Sequence, residues 1–362
     1  MSESSPKVVV ALSGGVDSSV AAALLVEQGY QVVGMMLRLW SEQGRAADNR
    51  CCTPASMAMA RRVAAMLDIP IYVLDAQQEH YEHVVRFFID GYAQGTTPNP
   101  CLVCNSQVRW GFLLERARLL GASHMATGHY ARLRRVLDGK FELLAARDPA
   151  KDQSYVLHVL NQSQLSQALF PLGDFSKDEV REMARRYGLP VAERPDSQDL
   201  CFLGGDDTRD FLLRNAAELA NPGPMMTKDG EYLGSHRGLP FYTIGQRKGL
   251  GIAPASPLYV IGKELATNTL ILGPAHELER RILTAARIHW VAGSAPDHAI
   301  QSLVKIRYKA EPARANVIPL LGEQNDAPLA KVFFDRPQRG ITPGQAAVFY
   351  DNEVCLGGGT IR

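Results

Sequence analysis

The sequence predicts an α/β protein in which a parallel-sheet domain is followed by a small mixed β middle domain and a C-terminal antiparallel β-barrel. Strand-like and helix-like segments alternate at the beginning of the chain, which is typical of parallel sheets with helical crossovers. After Asn221-Pro222-Gly223-Pro224 the chain changes to short strands and glycine-rich turns. From about Leu283 to Arg362 it has the pattern of strands joined by polar turns. We therefore expect three domains, at residues 1–205, 206–275 and 276–362.

The alternating segments of the first domain follow from their hydrophobic patterns. The predicted strands are Lys7–Leu12, Gln31–Leu37, Ile71–Leu74 and His124–Thr127. The predicted helices are Val16–Gln28, Pro54–Leu67, Glu79–Asp90 and Ser106–Leu120. Ligands of such sheets bind at the carboxyl ends of the strands, so we expect a site near Ser13, Leu37 and Gly128.

The later elements are predicted in the same way. Asp138-Gly139 is a hairpin turn between strands at Tyr130–Val136 and Phe141–Ala146. Further helices are predicted at Gln153–Leu160 and Lys177–Tyr187. Strands of the C-terminal region are predicted at Ser302–Tyr308, Ala330–Phe334 and Ala346–Tyr350. Several short strands with polar turns favour a small antiparallel barrel.

Composition excludes several classes of protein. The chain has 362 residues, which is too long for one compact core, and its formal net charge of +1 excludes a polycation. Its apolar runs are shorter than the ~20 residues that a membrane helix requires. The N-terminal segment Met1–Pro6 is polar and lacks the apolar region of a signal peptide. We expect a cytoplasmic protein without membrane contact.

The segment Ser13–Ser19, with the sequence S-G-G-V-D-S-S, joins the first predicted strand to the first predicted helix. Its two glycines let the backbone approach a ligand, and its serine hydroxyls lie beside the free N–H groups of the first helical turn. Such a turn is an anion site, most often for phosphate. It is not a Walker A loop, because the lysine of that motif is missing. An ordinary strand-to-helix turn with a polar N-cap is the alternative interpretation.

Six cysteines in a chain expected to be cytoplasmic indicate metal, redox or catalytic use for some of them rather than a disulfide framework. Cys101 and Cys104 form a C-x-x-C pair in a loop rich in proline and glycine, and Cys201 is a third candidate thiol. A structural zinc site is disfavoured because it needs four ligands and no second C-x-x-C is present. The cysteines expected to tolerate serine are Cys51, Cys52 and Cys355.

Three basic runs allow a local surface for nucleic acid. They are Arg132–Arg135, Arg247-Lys248 and Lys305–Lys309. Lys305, Arg307 and Lys309 alternate, so we expect them on one face of a strand. From these residues alone, a solvated strand face explains the pattern better than contact with phosphate.

Five motifs occur along the chain in a fixed order. They are the Ser13–Ser19 segment, T-P-N-P-x-x-x-C-N, K-D-Q-S-Y, D-S-Q-x-x-C-F and a terminal G-Q-x-A-V-F-Y…C-L-G-G-G. In this combination the chain resembles the bacterial tRNA-specific 2-thiouridylases, which are members of the ATP pyrophosphatase (pyrophosphate-loop) superfamily. The resemblance runs from Val8 to the C-terminus. It implies ATP-dependent 2-thiolation of the wobble uridine of tRNA, position 34, and makes phosphate contact the better interpretation of the last basic run.

The resemblance also implies roles for individual residues. Cys104 would be the nucleophile, Cys201 the persulfide carrier, and Asp17 the carboxylate that helps to hold Mg²⁺ on the phosphates of ATP. The residues implied to contact ATP are Ala11, Leu12, Ser13, Gly14, Gly15, Val16, Asp17, Ser18, Leu37 and Gly128. Those implied to contact the target base are Asn99, Pro100 and Cys101. Those implied to contact tRNA are His129, Lys151, Asp152, Gln153, Arg307, Tyr308 and Gln345.

Two sulfur chemistries are open. Family members carry either Asp or Cys at the position of Cys101. With Cys here, Cys101, Cys104 and Cys201 are candidate ligands of a [4Fe-4S] cluster whose open iron would carry sulfide. Otherwise the sulfur would be carried as a persulfide. The implied partners are the tRNAs for Lys, Glu and Gln, and a sulfur donor that receives sulfur from cysteine desulfurase directly or through a relay protein.

Two other functions remain as alternatives. One is a pyrophosphate-loop synthetase that acts on a small molecule, which would not need paired loop thiols or a basic C-terminal β-domain. The other is a tRNA-binding relative without catalytic activity, which the intact Ser13–Ser19 segment and the thiols Cys104 and Cys201 speak against.

Overall fold

The computed structural model of the chain describes residues 5–42, 53–195, 200–252, 256–320 and 327–362. Cys51, Cys52 and the Asp196–Asp199 part of the D-S-Q-x-x-C-F motif lie outside the described residues. Within the described ranges, no helix has both the length and the apolar character needed to cross a membrane.

A parallel sheet with the strand order β3-β2-β1-β4-β7 forms the first domain. With strands numbered along the chain, these are β1 (Lys7–Ala11), β2 (Gln31–Arg38), β3 (Ile71–Asp75), β4 (His124–Ala126) and β7 (Ala168–Leu169). The β-branched run Val8–Val10 is completely buried because both faces of β1 are covered. The chain leaves β1 on one side to form β2 and β3, and β4 pairs on the other side. The carboxyl end of β1 is therefore the switch point at which such sheets bind ligands.

The helices of the described residues connect these strands and cover the sheet. They are Val16–Glu27, Pro54–Met66, 77–93, 100–119, Ser154–Leu157, Gln162–Leu165, Lys177–Arg186 and Thr208–Asn215. Two of them contain π-helical stretches, at Tyr81–Val85 and Cys104–Leu113, a feature that is frequent at functional sites. The predicted helix Gln153–Leu160 is shorter than expected, because Asn161 forms a capping box with Gln164 and starts a new helix.

The middle domain is a four-stranded sheet in the order β10-β11-β8-β9. Its strands are β8 (Gly223–Met226), β9 (Tyr232–His236), β10 (Tyr259–Glu264) and β11 (Thr269–Gly273). Short 3₁₀ turns lie in and around it, at Cys201–Leu203, Ala217–Leu219, Leu239–Phe241 and Ala275–Leu278.

The C-terminal strands form a closed antiparallel barrel, as predicted. They are β12 (Glu279–Trp290), β13 (Ile300–Lys305), β14 (Ala313–Leu320), β15 (Leu329–Arg339), β16 (Ala346–Asp351) and β17 (Val354–Ile361). The long strand β12 pairs with both β15 and β17, which closes the barrel. Closure leaves no free edge in this ring of strands.

The predicted hairpin around Asp138-Gly139 is confirmed, but it belongs to the barrel's sheet as much as to the first domain. It consists of β5 (Arg132–Arg135) and β6 (Phe141–Leu144), and β6 pairs with β17. Met125 and Tyr155 of the first domain pack in one buried cluster with Val348 and Cys355 of the barrel. The parallel-sheet domain and the barrel therefore share a hydrophobic core.

The prediction that Lys305, Arg307 and Lys309 lie on one face of a strand is wrong. Strand β13 ends at Lys305, and the following residues form bends and turns. The ammonium group of Lys305 lies 3.3 Å from Oδ2 of Asp152, and Arg307 donates from Nη2 to the carbonyl of Arg339. The chain turns here because β13 has reached the end of its pairing with β16 at Val348.

Candidate active site

Residues Ser13–Ser19, here called the phosphate loop, connect β1 to the helix Val16–Glu27 at the switch point of the sheet. The hydroxyl of Ser18 accepts a hydrogen bond from the backbone N–H of Ser13 at 3.1 Å, and the hydroxyl of Ser19 donates to the carbonyl of Gly15 at 2.8 Å. Gly14 has a φ of +71°, and a Cβ there would collide with the carbonyl of Ser56. The loop therefore keeps a tight turn beside a helix N-terminus, which is suited to binding phosphate.

Asp17 lies in the first turn of this helix and is held by two partners from distant parts of the chain. Its Oδ1 accepts hydrogen bonds from Nζ of Lys177 at 2.7 Å and from the hydroxyl of Tyr130 at 2.8 Å. The side chain of Lys177 is only 10% exposed, and that of Asp17 is 34% exposed. A partly exposed carboxylate at a phosphate-binding turn is the oxygen donor that Mg²⁺ prefers, so this residue fits a shared metal on nucleotide phosphates.

A second cation also touches the phosphate loop. Arg194 donates from Nη1 to the carbonyl of Gly14 at 2.6 Å and from Nη2 to the hydroxyl of Ser56 at 2.8 Å. Sequence reasoning missed both Lys177 and Arg194. The predicted N-terminus of the helix at Lys177 was the one available signal, and nothing in the sequence linked it to Asp17, 160 residues away.

The other residues expected at ATP surround the same turn. Ala11 and Leu12 end β1 and enter the loop, and Leu37 lies at the carboxyl end of the adjacent strand β2. Gly128 follows β4, and a Cβ on it would lie 2.7 Å from the backbone nitrogen of Ser18. The fold therefore brings these positions together at one edge of the sheet.

His129 connects this edge to the helix that carries Cys104. The histidine is buried, and its Nδ1 lies 2.8 Å from the hydroxyl of Thr127. Its Nε2 lies 3.3 Å from Nη1 of Arg109. Burial and the Arg109 charge lower the pKa of His129 to about 3, so the imidazole is neutral.

Residues Thr97–Cys104, here called the thiol loop, lead into the helix 100–119. Asn99 caps this helix by accepting from the backbone N–H of Cys101, and Pro100 occupies its first turn. Cys101 is exposed, whereas the side chain of Cys104 packs in a cluster of aromatic residues that includes Phe88 and Phe202. The two thiols of the C-x-x-C pair therefore have different surroundings.

Cys201 is half-buried and borders the same aromatic cluster as Cys104. Its sulfur lies 3.8 Å from Nε2 of His80, whose ring is completely buried. Burial, with a smaller effect of the Arg109 charge, lowers the pKa of His80 to about 4. Arg109 is therefore near both histidines, one beside the phosphate loop and one beside Cys201. Within the described ranges, no three His, Cys, Asp or Glu side chains are grouped to hold a metal ion.

The residues expected at tRNA have mixed surroundings. Asp152 is buried, and its carboxylate accepts from the backbone N–H groups of Ala146 and Ser154 and faces Lys305. Gln153 accepts from the backbone N–H of Tyr130 at 3.0 Å. Tyr308 is 36% exposed, and burial, together with the charges of Asp152 and Cys101, raises its pKa to about 12. Tyr308 is thus close to the exposed thiol Cys101.

The first predicted basic run is partly neutralised. Arg132 pairs with Glu353 at 2.5 Å, and Arg134 pairs with Glu142 at 2.6 Å across the hairpin. Arg247 and Lys248 are exposed beside a cavity of about 420 Å³ that Lys248 helps to line. The charge available to a polyanion is therefore smaller at the hairpin than the sequence indicates.

The sheet order, the phosphate loop at its switch point and the appended middle sheet and barrel define a class of nucleotide-binding α/β protein. Family profiles support this class. A profile described as tRNA methyl transferase HUP domain matches residues 6–205, and a tRNA methyl transferase PRC-barrel domain matches residues 209–274. An aminomethyltransferase beta-barrel domain matches residues 280–361.

Curated relatives match over the whole chain. A protein of Moorella thermoacetica named tRNA-specific 2-thiouridylase MnmA is 47% identical over 98% of this chain and 99% of its own length. A protein of Chloroflexus aurantiacus with the same name is 48% identical over 98% of both chains. The chain belongs to the tRNA-specific 2-thiouridylase family. A solved 4-thiouridine synthetase–RNA complex is 18% identical with a TM-score of 0.37, covering 56% of this chain and 46% of that one, which is too little for any inference.

Proposed function

We propose that this protein is an ATP-dependent tRNA sulfurtransferase that converts the wobble uridine, position 34, to 2-thiouridine. The observation that carries the proposal is the meeting of two chemistries around Arg109. On one side, His129 and Gly128 adjoin the phosphate loop. On the other side are Cys104, on the same helix as Arg109, and Cys201 beside His80. The family's activity needs both an activated carbonyl oxygen and a sulfur nucleophile.

The phosphate loop serves the activation step. The O2 atom of uracil attacks the α-phosphate of ATP, the bond to pyrophosphate breaks, and the base becomes an O2-adenylate. The loop's N–H groups, Lys177 and Arg194 offset the charge on the phosphates. Asp17 would hold Mg²⁺, which when bound would neutralise part of that charge. Neutral His129 keeps a further positive charge out of the site.

The thiols serve the transfer step. A persulfide on Cys201, loaded by a sulfur donor that receives sulfur from cysteine desulfurase, attacks C2 through its terminal sulfur, and AMP leaves. The thiolate of Cys104 then attacks the Cys201 sulfur, which releases 2-thiouridine and forms a disulfide between the two cysteines. An external thiol must reduce that disulfide before the next turnover. The common aromatic cluster around Cys104 and Cys201 supports this pairing.

Cys101 distinguishes the persulfide route from a cluster route. Because the three thiols are not grouped as metal ligands in the described residues, we assign no step to a [4Fe-4S] cluster. We expect Cys101→Ser, at the exposed position, to retain most of the activity in air and in the presence of chelator. Loss of both activity and iron from anaerobically prepared Cys101→Ser protein would contradict the persulfide route.

The test is reconstitution with defined components. Purified protein is incubated with ATP, Mg²⁺, a sulfur donor and unmodified tRNAs for Lys, Glu and Gln, and the digested nucleosides are measured by mass spectrometry. We expect 2-thiouridine that depends on ATP, with one AMP and one pyrophosphate formed per thiolated base. ATP consumption with a small-molecule acceptor but not with tRNA would favour a synthetase instead. Binding of tRNA without any ATP consumption would favour a non-catalytic relative.

A further inference from the structure

The thiol loop is held at its start by residues of both other domains. Nζ of Lys263, on strand β10 of the middle domain, donates to the carbonyl of Gly95 at 3.1 Å. Two residues further on, the backbone N–H of Thr97 donates to the carbonyl of Pro343 at 2.8 Å. The side-chain amide of Gln345 donates to the carbonyl of Thr97 at 2.8 Å. Pro343 and Gln345 lie immediately before strand β16 of the barrel.

These contacts leave the loop little freedom. Gly344 has a φ of +94°, and a Cβ there would lie 2.8 Å from the backbone nitrogen of Thr97. Pro98 packs against Gly91, where a Cβ would lie 2.7 Å from the proline Cγ. Both backbone hydrogen-bonding groups of Thr97 are therefore engaged by the barrel, while the next residue is fixed against the first domain's own helix.

The contact of Lys263 is unusual for a lysine. Burial lowers the pKa of Lys263 to about 8, which shows that the ammonium group has lost much of its hydration. A desolvated ammonium is unfavourable unless an oxygen replaces water, and the carbonyl of Gly95 supplies that oxygen. The interaction therefore specifies one position of the chain just before Thr97.

We infer that Lys263 and Gln345 are positioning residues that fix the thiol loop, and through it Cys101 and Cys104, from the middle domain and the barrel. The chain runs directly from Thr97 to Asn99, whose side chain caps the helix that carries both thiols and interacts with the hydroxyl of Tyr155. A displacement at Thr97 is therefore transmitted to the helix start. This role rests on the proposed function for its effect on catalysis, but the geometry of the thiols is measurable by itself.

The resemblance implies that Gln345 contacts tRNA, and the structure gives its amide a different partner. A residue that binds tRNA mainly changes KM for tRNA, whereas a residue that positions the loop mainly changes kcat. A misplacement of about 1 Å costs up to 10²-fold in rate. We therefore expect kcat to fall by about tenfold or more in both variants, with KM for tRNA changed less than twofold.

The test compares two variants with matched controls. Lys263→Met removes the ammonium group, and Gln345→Glu places an acceptor against the carbonyl of Thr97. The controls are Lys228→Met, which loses a pair with Glu277 in the same domain, and Gln338→Glu, which loses a contact within the barrel. Lys263→Gln replaces Lys263→Met if the latter does not fold.

Each protein is assayed for kcat and KM, and for the rate at which iodoacetamide alkylates Cys104, followed by peptide mass spectrometry. We expect both test variants to lose kcat and to alkylate Cys104 several-fold faster, while the controls match wild type. Unchanged kcat and alkylation, or a raised KM for tRNA with unchanged kcat, would overturn the inference. If wild type forms no 2-thiouridine, the proposed function fails, and the alkylation rates still decide the role of Lys263 and Gln345.

Discussion

The phosphate loop and the thiol loop belong to the same site but are held in different ways. The phosphate loop is built mainly from its own serines and glycines, and its distant partners, such as Lys177, Tyr130 and Arg194, all come from the first family-profile match. The thiol loop is fixed at Thr97 by the barrel. The site for activation is thus complete within one domain, whereas the site for sulfur transfer depends on three.

The largest expected effect separates the thiols from the rest of the molecule. Cys104→Ser and Cys201→Ser should each reduce 2-thiouridine below detection, because a serine hydroxyl neither carries sulfur nor forms a disulfide. Both variants should keep the melting temperature of wild type to within a few degrees. Cys355→Ala, in the core shared by the two domains, is the control and should retain thiolation. Substantial thiolation by either loop variant would mean that the two-cysteine route is incorrect.

A second change tests the phosphate loop alone. Asp17→Ala removes the carboxylate that joins Lys177 and Tyr130 and should lower tRNA-dependent ATP consumption by on the order of 10²-fold or more, a loss of several kcal/mol of stabilisation. Affinity for tRNA, measured by filter binding, should stay within twofold. Asp229→Ala, on an exposed turn of the middle domain, serves as the control. Near-normal ATP consumption would remove Asp17 from the catalytic account.

The basic segment after β13 offers a sharper contrast between neighbours. Lys305→Ala leaves the buried carboxylate of Asp152 without its cation and should destabilise the fold by roughly 3 kcal/mol, measured by urea unfolding. Arg307→Ala, at an exposed position, should leave stability unchanged while lowering tRNA affinity and the salt slope by about one phosphate contact. Equal stability of the two variants would show that the ion pair between barrel and first domain contributes nothing.

The smallest expected effect is a loss of stability in acid. Burial lowers the pKa of His80 and of His158 to about 4 and that of His129 to about 3, against an ordinary value of 6.5. Since the unfolded chain binds protons that the folded chain excludes, stability is complete above pH 6.5 and is lost as the pH falls toward 4. Each histidine should contribute about 1.4 kcal/mol per pH unit in this window. His158→Gln should reduce the slope of unfolding free energy against pH between 6 and 4.5, and an unchanged slope would contradict this assignment.

Much of the architecture follows from local sequence. The run Val8–Val10, the glycines after it and the helix-forming residues beyond define strand, loop and helix over a short distance, and the structure agrees. The hairpin at Asp138-Gly139 was equally local. The attachment of that hairpin to β17 was not predictable, because it depends on pairing between Leu143 and Cys355, 212 positions apart.

The candidate site divides in the same way. The C-x-x-C pair and the phosphate loop are contiguous motifs, so the sequence places them near strand ends. Lys177, Arg194, His80 and Lys263 carry no motif, and each acquires its role only from the tertiary contact that it makes. The alternation of Lys305, Arg307 and Lys309 misled because the strand ends before the pattern does.

The central claim is that one domain activates the base and a loop held by three domains supplies the sulfur. The most direct measurement is pyrophosphate release in a single turnover with excess enzyme, ATP and unmodified tRNA, followed by nucleoside analysis. Cys104→Ser should release pyrophosphate with tRNA present but form no 2-thiouridine, and Asp17→Ala should do neither. Formation of 2-thiouridine by Asp17→Ala, or failure of Cys104→Ser to release pyrophosphate while it still binds ATP and tRNA, would contradict the separation of activation from sulfur transfer.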